Sequence, residues 1–249
     1  MGFLIGLGTG IFGGLVGIGG GVIMVPLMSR FLRIPQPSIH GTSLVAVVFS
    51  GLSGASAYAL NGTVDYRATF ILAITASLMA RVGARYCATL PGWKLRRFFG
   101  IFLICLSILL IGKPLIGSIS AQPFSGWEKD LSLAAIGLTT GFLAGLLGIG
   151  GGAFMVLGLV LVTGMNQFIA QGCSLLAVVP AGAVGAYTHW GHENIVVSIL
   201  PGLIGGIVIG AFAGGMFANL LPEDILRSLF AVVLVWLGID MIRRSRQDG

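Results

Sequence analysis

Five residues, Gly17-Ile18-Gly19-Gly20-Gly21, recur letter for letter 131 positions later as Gly148-Ile149-Gly150-Gly151-Gly152. Glycine reaches positive φ at little steric cost and lets backbone approach a ligand closely. An apolar helix that restarts after such a run begins with N–H groups that have no partner within the helix. That end carries roughly half a positive charge. Two such ends brought together make an anion site that needs no buried lysine or arginine. Gly19, Gly20, Gly21, Gly150, Gly151 and Gly152 are therefore candidate binding residues. Two polar quartets, His40-Gly41-Thr42-Ser43 and Gln171-Gly172-Cys173-Ser174, stand at matched places downstream. The side chains of His40, Thr42, Ser43, Gln171, Cys173 and Ser174 can face an oxyanion; capping of the helices they open is the structural alternative.

Arg81 is the remaining candidate, since an arginine inside an apolar segment is a functional residue by default. Arg85 shares its helix face, and snorkelling of both to the membrane surface is the competing account. Gln36 and Gln167, also matched, fall among turn residues and are expected in loops. Gly10, Gly14, Gly141 and Gly145 have the spacing of small-residue helix packing. Tyr58, Tyr187, His189 and Trp190 fall at helix ends, where interfacial anchoring accounts for them. No Ser/His/Asp, Cys/His or paired-carboxylate set falls within the apolar segments, so no enzyme, cofactor or metal site is expected. Gly148-x-Gly150-x-x-Ala153 has the letters of a dinucleotide fingerprint but lacks the preceding strand such a site needs.

The elements that position these residues follow from hydropathy and repetition. With 56% hydrophobic and 9% charged residues, the chain has too few charges to cover a water-soluble globule. Apolar runs near the roughly 20 residues that cross a bilayer occur at 41–60, 98–117, 133–147, 195–220 and 225–242. The net charge of +6 reflects basic residues gathered in cytoplasmic loops, not a nucleic-acid surface. Cys87, Cys105 and Cys173 lack metal spacing and are expected to pack as small apolar groups. Met1 is followed by no basic region, so no cleavable signal peptide is expected.

The repeat keeps its register well beyond the glycines: Met24 with Met155, Ser43 with Ser174, Gly83 with Gly214, Pro91 with Pro222. Residues 1–116 and 131–249 read as two copies of one unit, joined by a Ser-, Pro- and Gly-containing external linker at 117–130. Arg30, Arg33, Arg81, Arg85, Lys94, Arg96, Arg97, Arg243, Arg244 and Arg246 assign one face to the cytoplasm. The basic loop at 88–97 then lies inside while its acidic mate at 219–228 lies outside. The expected fold is an all-α polytopic membrane protein of two inverted-topology repeats. Each is a Gly-broken re-entrant helical hairpin plus three transmembrane helices, and the C-terminus is cytoplasmic. Inverted repeats with broken helices are the architecture of many secondary transporters, with substrate at the midplane between the repeats. A channel built from the paired half-helices is the alternative.

The residues Gly14-x-x-Gly17-Ile-Gly-Gly-Gly21 with Pro26, Gly41-Thr42-Ser43-Leu44 and Gly62-Thr-Val-Asp65-Tyr66 carry a family likeness, as do Gly145-x-x-Gly148-Ile-Gly-Gly-Gly152 and Gly172-Cys173-Ser174-Leu175. Over nearly its whole length the chain resembles the TauE/SafE sulfite exporters, of the 4-toluene sulfonate uptake permease superfamily. Cys173 stands where that pattern has Thr, and Leu157 replaces the proline found at Pro26. The resemblance implies a carrier of a small sulfur-containing anion such as sulfite, a sulfonate or sulfoacetate, in the cell (inner) membrane. The coupling ion, proton or sodium, and a homodimeric assembly stay open.

Overall fold

The computed structural model describes residues 1–87, 126–147 and 150–245 apart from 33, 35 and 192, with scattered positions between 93 and 108. Every extended element among the described residues is helical. In order these are α1 (Gly2–Val16), α2 (Gly21–Phe31), α3 (Gln36–Leu60), α4 (Tyr66–Cys87), α5 (Trp127–Leu147), α6 (Gly152–Val162), α7 (Gln167–Trp190), a 3₁₀ turn (Val197–Ile199), α8 (Leu200–Ala218) and α9 (Glu223–Ser245). Four segments are long and apolar enough to cross a membrane: Ser38–Leu60, Gln167–Trp190, Val197–Ala218 and Asp224–Ser245. Most of the expected span at 98–117 and most of the linker lie outside the described residues.

Boundaries repeat at the offset of the sequence. α2 and α6 start at Gly21 and Gly152 and end at Phe31 and Val162; α3 and α7 start at Gln36 and Gln167. Helix pairing repeats too. α1 packs on α8 and α5 on α4; α3 packs on α8 and α7 on α4; α2 packs on α3 and α6 on α7. Each partnership maps onto another when the copies are exchanged, and the partnership of α3 with α7 maps onto itself.

Direction follows from close contacts. Gly6, Gly10 and Gly14 of α1 abut Leu203, Ile207 and Ala211 of α8, so these helices run parallel. Gly137 and Gly141 of α5 abut Thr75 and Ala76 of α4, again in parallel. Small residues let the backbones come this close, as the packing account of Gly10, Gly14 and Gly141 requires. α3 and α7 are antiparallel: Gly182 and Gly185 meet Leu44, whereas Gly51 and Gly54 meet Leu175. Within each copy the broken helices fold back. Gly20 sits against Thr9 of α1; Gly151 sits against Thr140, and Gly158 against Ile136, of α5. Around these hairpins lies a core of Val16, Ile18, Val22, Ala153, Met155 and Val156.

One expectation is corrected. Gln36 and Gln167 lie not in loops but at the first positions of α3 and α7. Pro37 signals a turn in sequence, yet proline fits the first helical turn, where its missing N–H costs nothing.

Candidate functional site

Gly17, with φ 75°, ends α1, and its N–H bonds the Gly13 carbonyl. Gly20, with φ 72°, is the residue from which α2 restarts, and Gly151, also with φ 72°, is its counterpart before α6. A Cβ at Gly20 would lie 2.8 Å from the Thr9 carbonyl oxygen; one at Gly151 would lie 2.7 Å from Ala144 Cβ. Dihedral and space together exclude a side chain at either place. Gly148 and Ile149 lie outside the described residues.

The two breaks converge. A Cβ at Gly19 would lie 3.4 Å from Val47 and 3.9 Å from Val178; a Cβ at Gly150 would lie 2.9 and 3.4 Å from the same two methyl groups. Val47 and Val178 are themselves equivalent, 131 residues apart on the antiparallel α3 and α7. A Cβ at Gly152 would lie 2.9 Å from the Ile18 Cα, and Gly17 abuts the Gln171 side chain. The starts of α2 and α6 are buried, and neither has a side-chain cap. Two other helices do have side-chain caps: Asp65 accepts from the Ala68 N–H at 3.0 Å at the start of α4, and Asn166 from the Ile169 N–H at 2.8 Å at the start of α7, whereas α1 and α8 also begin without one. A buried helix start without a cap leaves first-turn donors for a ligand or water.

The candidate polar residues divide into groups. Thr42, Ser43, Cys173 and Ser174 are fully buried inside α3 and α7, not at their starts, so helix capping does not explain them. Ser174 donates to the carbonyl of Gly152 at 3.0 Å and so grips the start of α6. Ser43 makes a long contact of 3.4 Å with the His40 carbonyl. Thr42 and Cys173 serve the loops. The Thr42 hydroxyl donates to the Ser38 carbonyl at 2.6 Å and accepts from the Val196 N–H at 3.0 Å. The Cys173 sulfur accepts from the Asp65 N–H at 3.3 Å. Gln171 is fully buried; its Oε1 accepts from the Tyr58 hydroxyl at 2.7 Å, and its Nε2 has no partner. His40 is half-buried beside Gly41, on which His189 packs. Arg81 is exposed on α4 and takes no part in the described contacts around the breaks.

Tyr58 is not the interfacial anchor that its place at a helix end suggests. It is fully buried, and its hydroxyl also lies 3.1 Å from the Gly14 carbonyl. Its partners are 44 and 113 residues away, beyond the reach of any local pattern. Tyr187, by contrast, is 81% exposed and Trp190 60%, as expected of interfacial anchors.

The family model described as Sulfite exporter TauE/SafE matches residues 2–241. The chain belongs to the TauE/SafE family. Among its relatives is the probable membrane transporter protein YunE of Bacillus subtilis, 27% identical, with 96% of this chain and 95% of that protein aligned. A probable membrane transporter protein of Xylella fastidiosa is 28% identical over 98% of this chain and 93% of its own length. YdhB of Bacillus subtilis, also a probable membrane transporter protein, is 26% identical over 88% and 90%. No solved structure matches significantly. This TauE/SafE protein is thus a membrane transporter by family, with several apolar helices to place it there.

Charges in the TauE/SafE chain gather at helix ends. Lys129 pairs with Asp65 at 3.4 Å and Arg67 with Asp130 at 2.6 Å, joining the starts of α4 and α5. Burial opposes ionisation of Asp65, but the Ala68 N–H and Lys129 outweigh it and hold the carboxyl below its ordinary value. No Lys or Arg is buried among the residues whose burial the structure describes.

Proposed function

We propose that the protein is a secondary transporter of a small sulfur-containing anion, held between the starts of α2 and α6 and released by alternating access. The observation that carries this is the convergence of two buried, uncapped helix starts on one pair of valines. The partial positive charge of each start favours an anion. Gly19, Gly20, Gly21, Gly150, Gly151 and Gly152 supply backbone, Gln171 supplies an amide donor, and Ser43 and Ser174 supply or position hydroxyls. With no buried Lys or Arg among the residues whose burial is described, a dehydrated anion is bound by dipoles it can leave. The substrate class comes from the family, whose name refers to sulfite.

The antiparallel packing of the equivalent α3 and α7 supports an inverted arrangement of the two copies. The hairpins α1–α2 and α5–α6 would then enter from opposite faces and return. The basic residues place the N-terminal ends of α1 and α3 and the C-terminal end of α9 at the cytoplasmic face of the cell membrane.

The test is binding of sulfite, sulfate, thiosulfate, taurine and sulfoacetate to purified protein. A lost hydrogen bond to a charged group costs about 1.5–3 kcal/mol. Ser43→Ala or Ser174→Ala should therefore weaken the best anion by roughly ten-fold to a hundred-fold, while Arg81→Gln leaves it nearly unchanged. A large loss in Arg81→Gln, with both serine variants like the parent, would show that a fixed charge holds the substrate.

A further inference from the structure

Two pairs of polar residues occupy equivalent stations at opposite ends of the α3–α7 pair. At one end Tyr58 packs on Gly172, where a Cβ would lie 3.1 Å from the Tyr58 Cβ, and its hydroxyl bonds Gln171. The residue 131 positions after Tyr58 is His189; the residue 131 positions before Gln171 is His40. His189 packs on Gly41, where a Cβ would lie 3.0 Å from the His189 Cβ. The surrounding loops match as well. The Asn194 carbonyl abuts Gly41 as the Thr63 carbonyl abuts Gly172. Thr42 holds the Val196 N–H as Cys173 holds the Asp65 N–H. His189 and His40 thus hold, on an equivalent backbone frame, the positions that Tyr58 and Gln171 hold at the other end.

The chemistry of the two ends differs. A tyrosine–glutamine pair is neutral throughout the physiological range, whereas imidazole exchanges a proton near pH 6.5. The first pair is fully buried, and both histidines are half-buried. Among the described residues few other ionisable groups lie on the elements packed against them, and Arg33 before α3 lies outside the described residues. α8 carries none, α2 carries Arg30, α1 carries the amino terminus, Tyr187 and Glu193 on and after α7 are exposed, and His192 lies outside the described residues. His40 lies seven residues before Val47 on α3, about 10 Å from the breaks at 1.5 Å per residue.

We infer that His40 and His189 form one proton-binding pair, through which movement of the anion is coupled to protons. This rests on the transporter function proposed above. A proton taken from water onto a ring nitrogen lets one imidazolium donate to the other imidazole; a second proton leaves two donors and no acceptor between them. The pair therefore holds one proton readily and resists another. Its positive charge near the breaks strengthens anion binding, and the anion strengthens proton binding by the same factor.

Nitrogen-15 histidine NMR of the detergent-solubilised protein tests the pair without any substrate. The expected result is two steps for His40 and His189, separated by more than about one pH unit, collapsing to one intermediate step for His189 in His40→Gln. Overlapping steps that ignore the His40→Gln substitution would overturn the pair. The second arm is flux of thiosulfate and sulfoacetate in proteoliposomes. The double variant His40→Gln, His189→Tyr installs the contact already present at the other end and is expected to fold. One proton per anion shifts the parent's steady-state distribution about ten-fold per unit of pH gradient. In the double variant exchange should persist and that shift should vanish; an equal shift in both would overturn the coupling. If no anion moves through the parent, the carrier function fails, and the titration alone decides the pair.

Discussion

At the scale of single residues, Gly19 and Gly150 are equivalent in sequence but not in space. A methyl at Gly19 has room, with Val47 3.4 Å away, whereas one at Gly150 meets Val47 at 2.9 Å. Both keep positive φ, 73° and 84°, which costs a non-glycine residue about 1–2 kcal/mol. Gly19→Ala should therefore lower stability by about that amount and still fold, with its methyl directed at the valines where the anion is proposed to sit. Gly150→Ala should cost more, and adding Val47→Ala should recover part of it, a coupling on the order of 1 kcal/mol. Thermal unfolding in detergent measures the cycle, and anion binding measures the cradle. A Gly19→Ala protein that binds like its parent would show that the break holds no ligand. The glycines were legible in sequence because their roles are local. The roles of Thr42 and Cys173 were not, because the backbone groups they hold are 154 and 108 residues away.

At the scale of elements, the strongest contact between the copies is α1 on α8. Each helix presents small residues to the other: a Cβ at Gly10 would lie 2.7 Å from the Ile207 carbonyl oxygen, and Gly210 abuts the Leu7 carbonyl. A side chain added here presses on backbone, which cannot swing aside as a side-chain tip can. Gly210→Val should cost more than the roughly 1–3 kcal/mol typical of overpacking and reduce the yield of folded protein. Gly8, on α1, has nothing within 4 Å of a Cβ, so Gly8→Val should be nearly silent. Size-exclusion profiles of the two variants provide the comparison; equal loss in both would mean that helix propensity, not packing, decides. The spacing of Gly10, Gly14 and Gly141 announced close packing in the sequence. It could not name the partner, because a small-residue stripe fits any helix that offers a matching groove. Helix ends were legible wherever glycine punctuates them, and misjudged at Gln36, where the proline that follows looks like a turn and begins a helix instead.

At the scale of the whole molecule, the offset of 131 residues orders hairpins, pairings and loops together. It was visible in the sequence because the repeat tolerates no gap between Gly10 and Phe99. The repeat alone fixes similarity and not the axis that relates its members; the inverted reading came from the basic loop at 88–97 and its acidic mate at 219–228. The antiparallel contacts of α3 and α7 are consistent with it, and the turns that follow these helices make it testable. Gly62 and Glu193 are equivalent, exposed, and both at positive φ, 68° and 56°. If α3 and α7 cross the membrane in opposite directions, the two turns lie on opposite faces. Cysteine placed at Asn61 and, separately, at Glu193, in a chain whose Cys87 and Cys105 are alanine, is read with a membrane-impermeant maleimide on intact cells. Asn61→Cys should be labelled from outside and Glu193→Cys only after the membrane is opened. Labelling of both from one face would mean that the copies are related by an axis along the membrane normal. The two helix starts would then enter from the same side, and no anion could be held between them at the midplane.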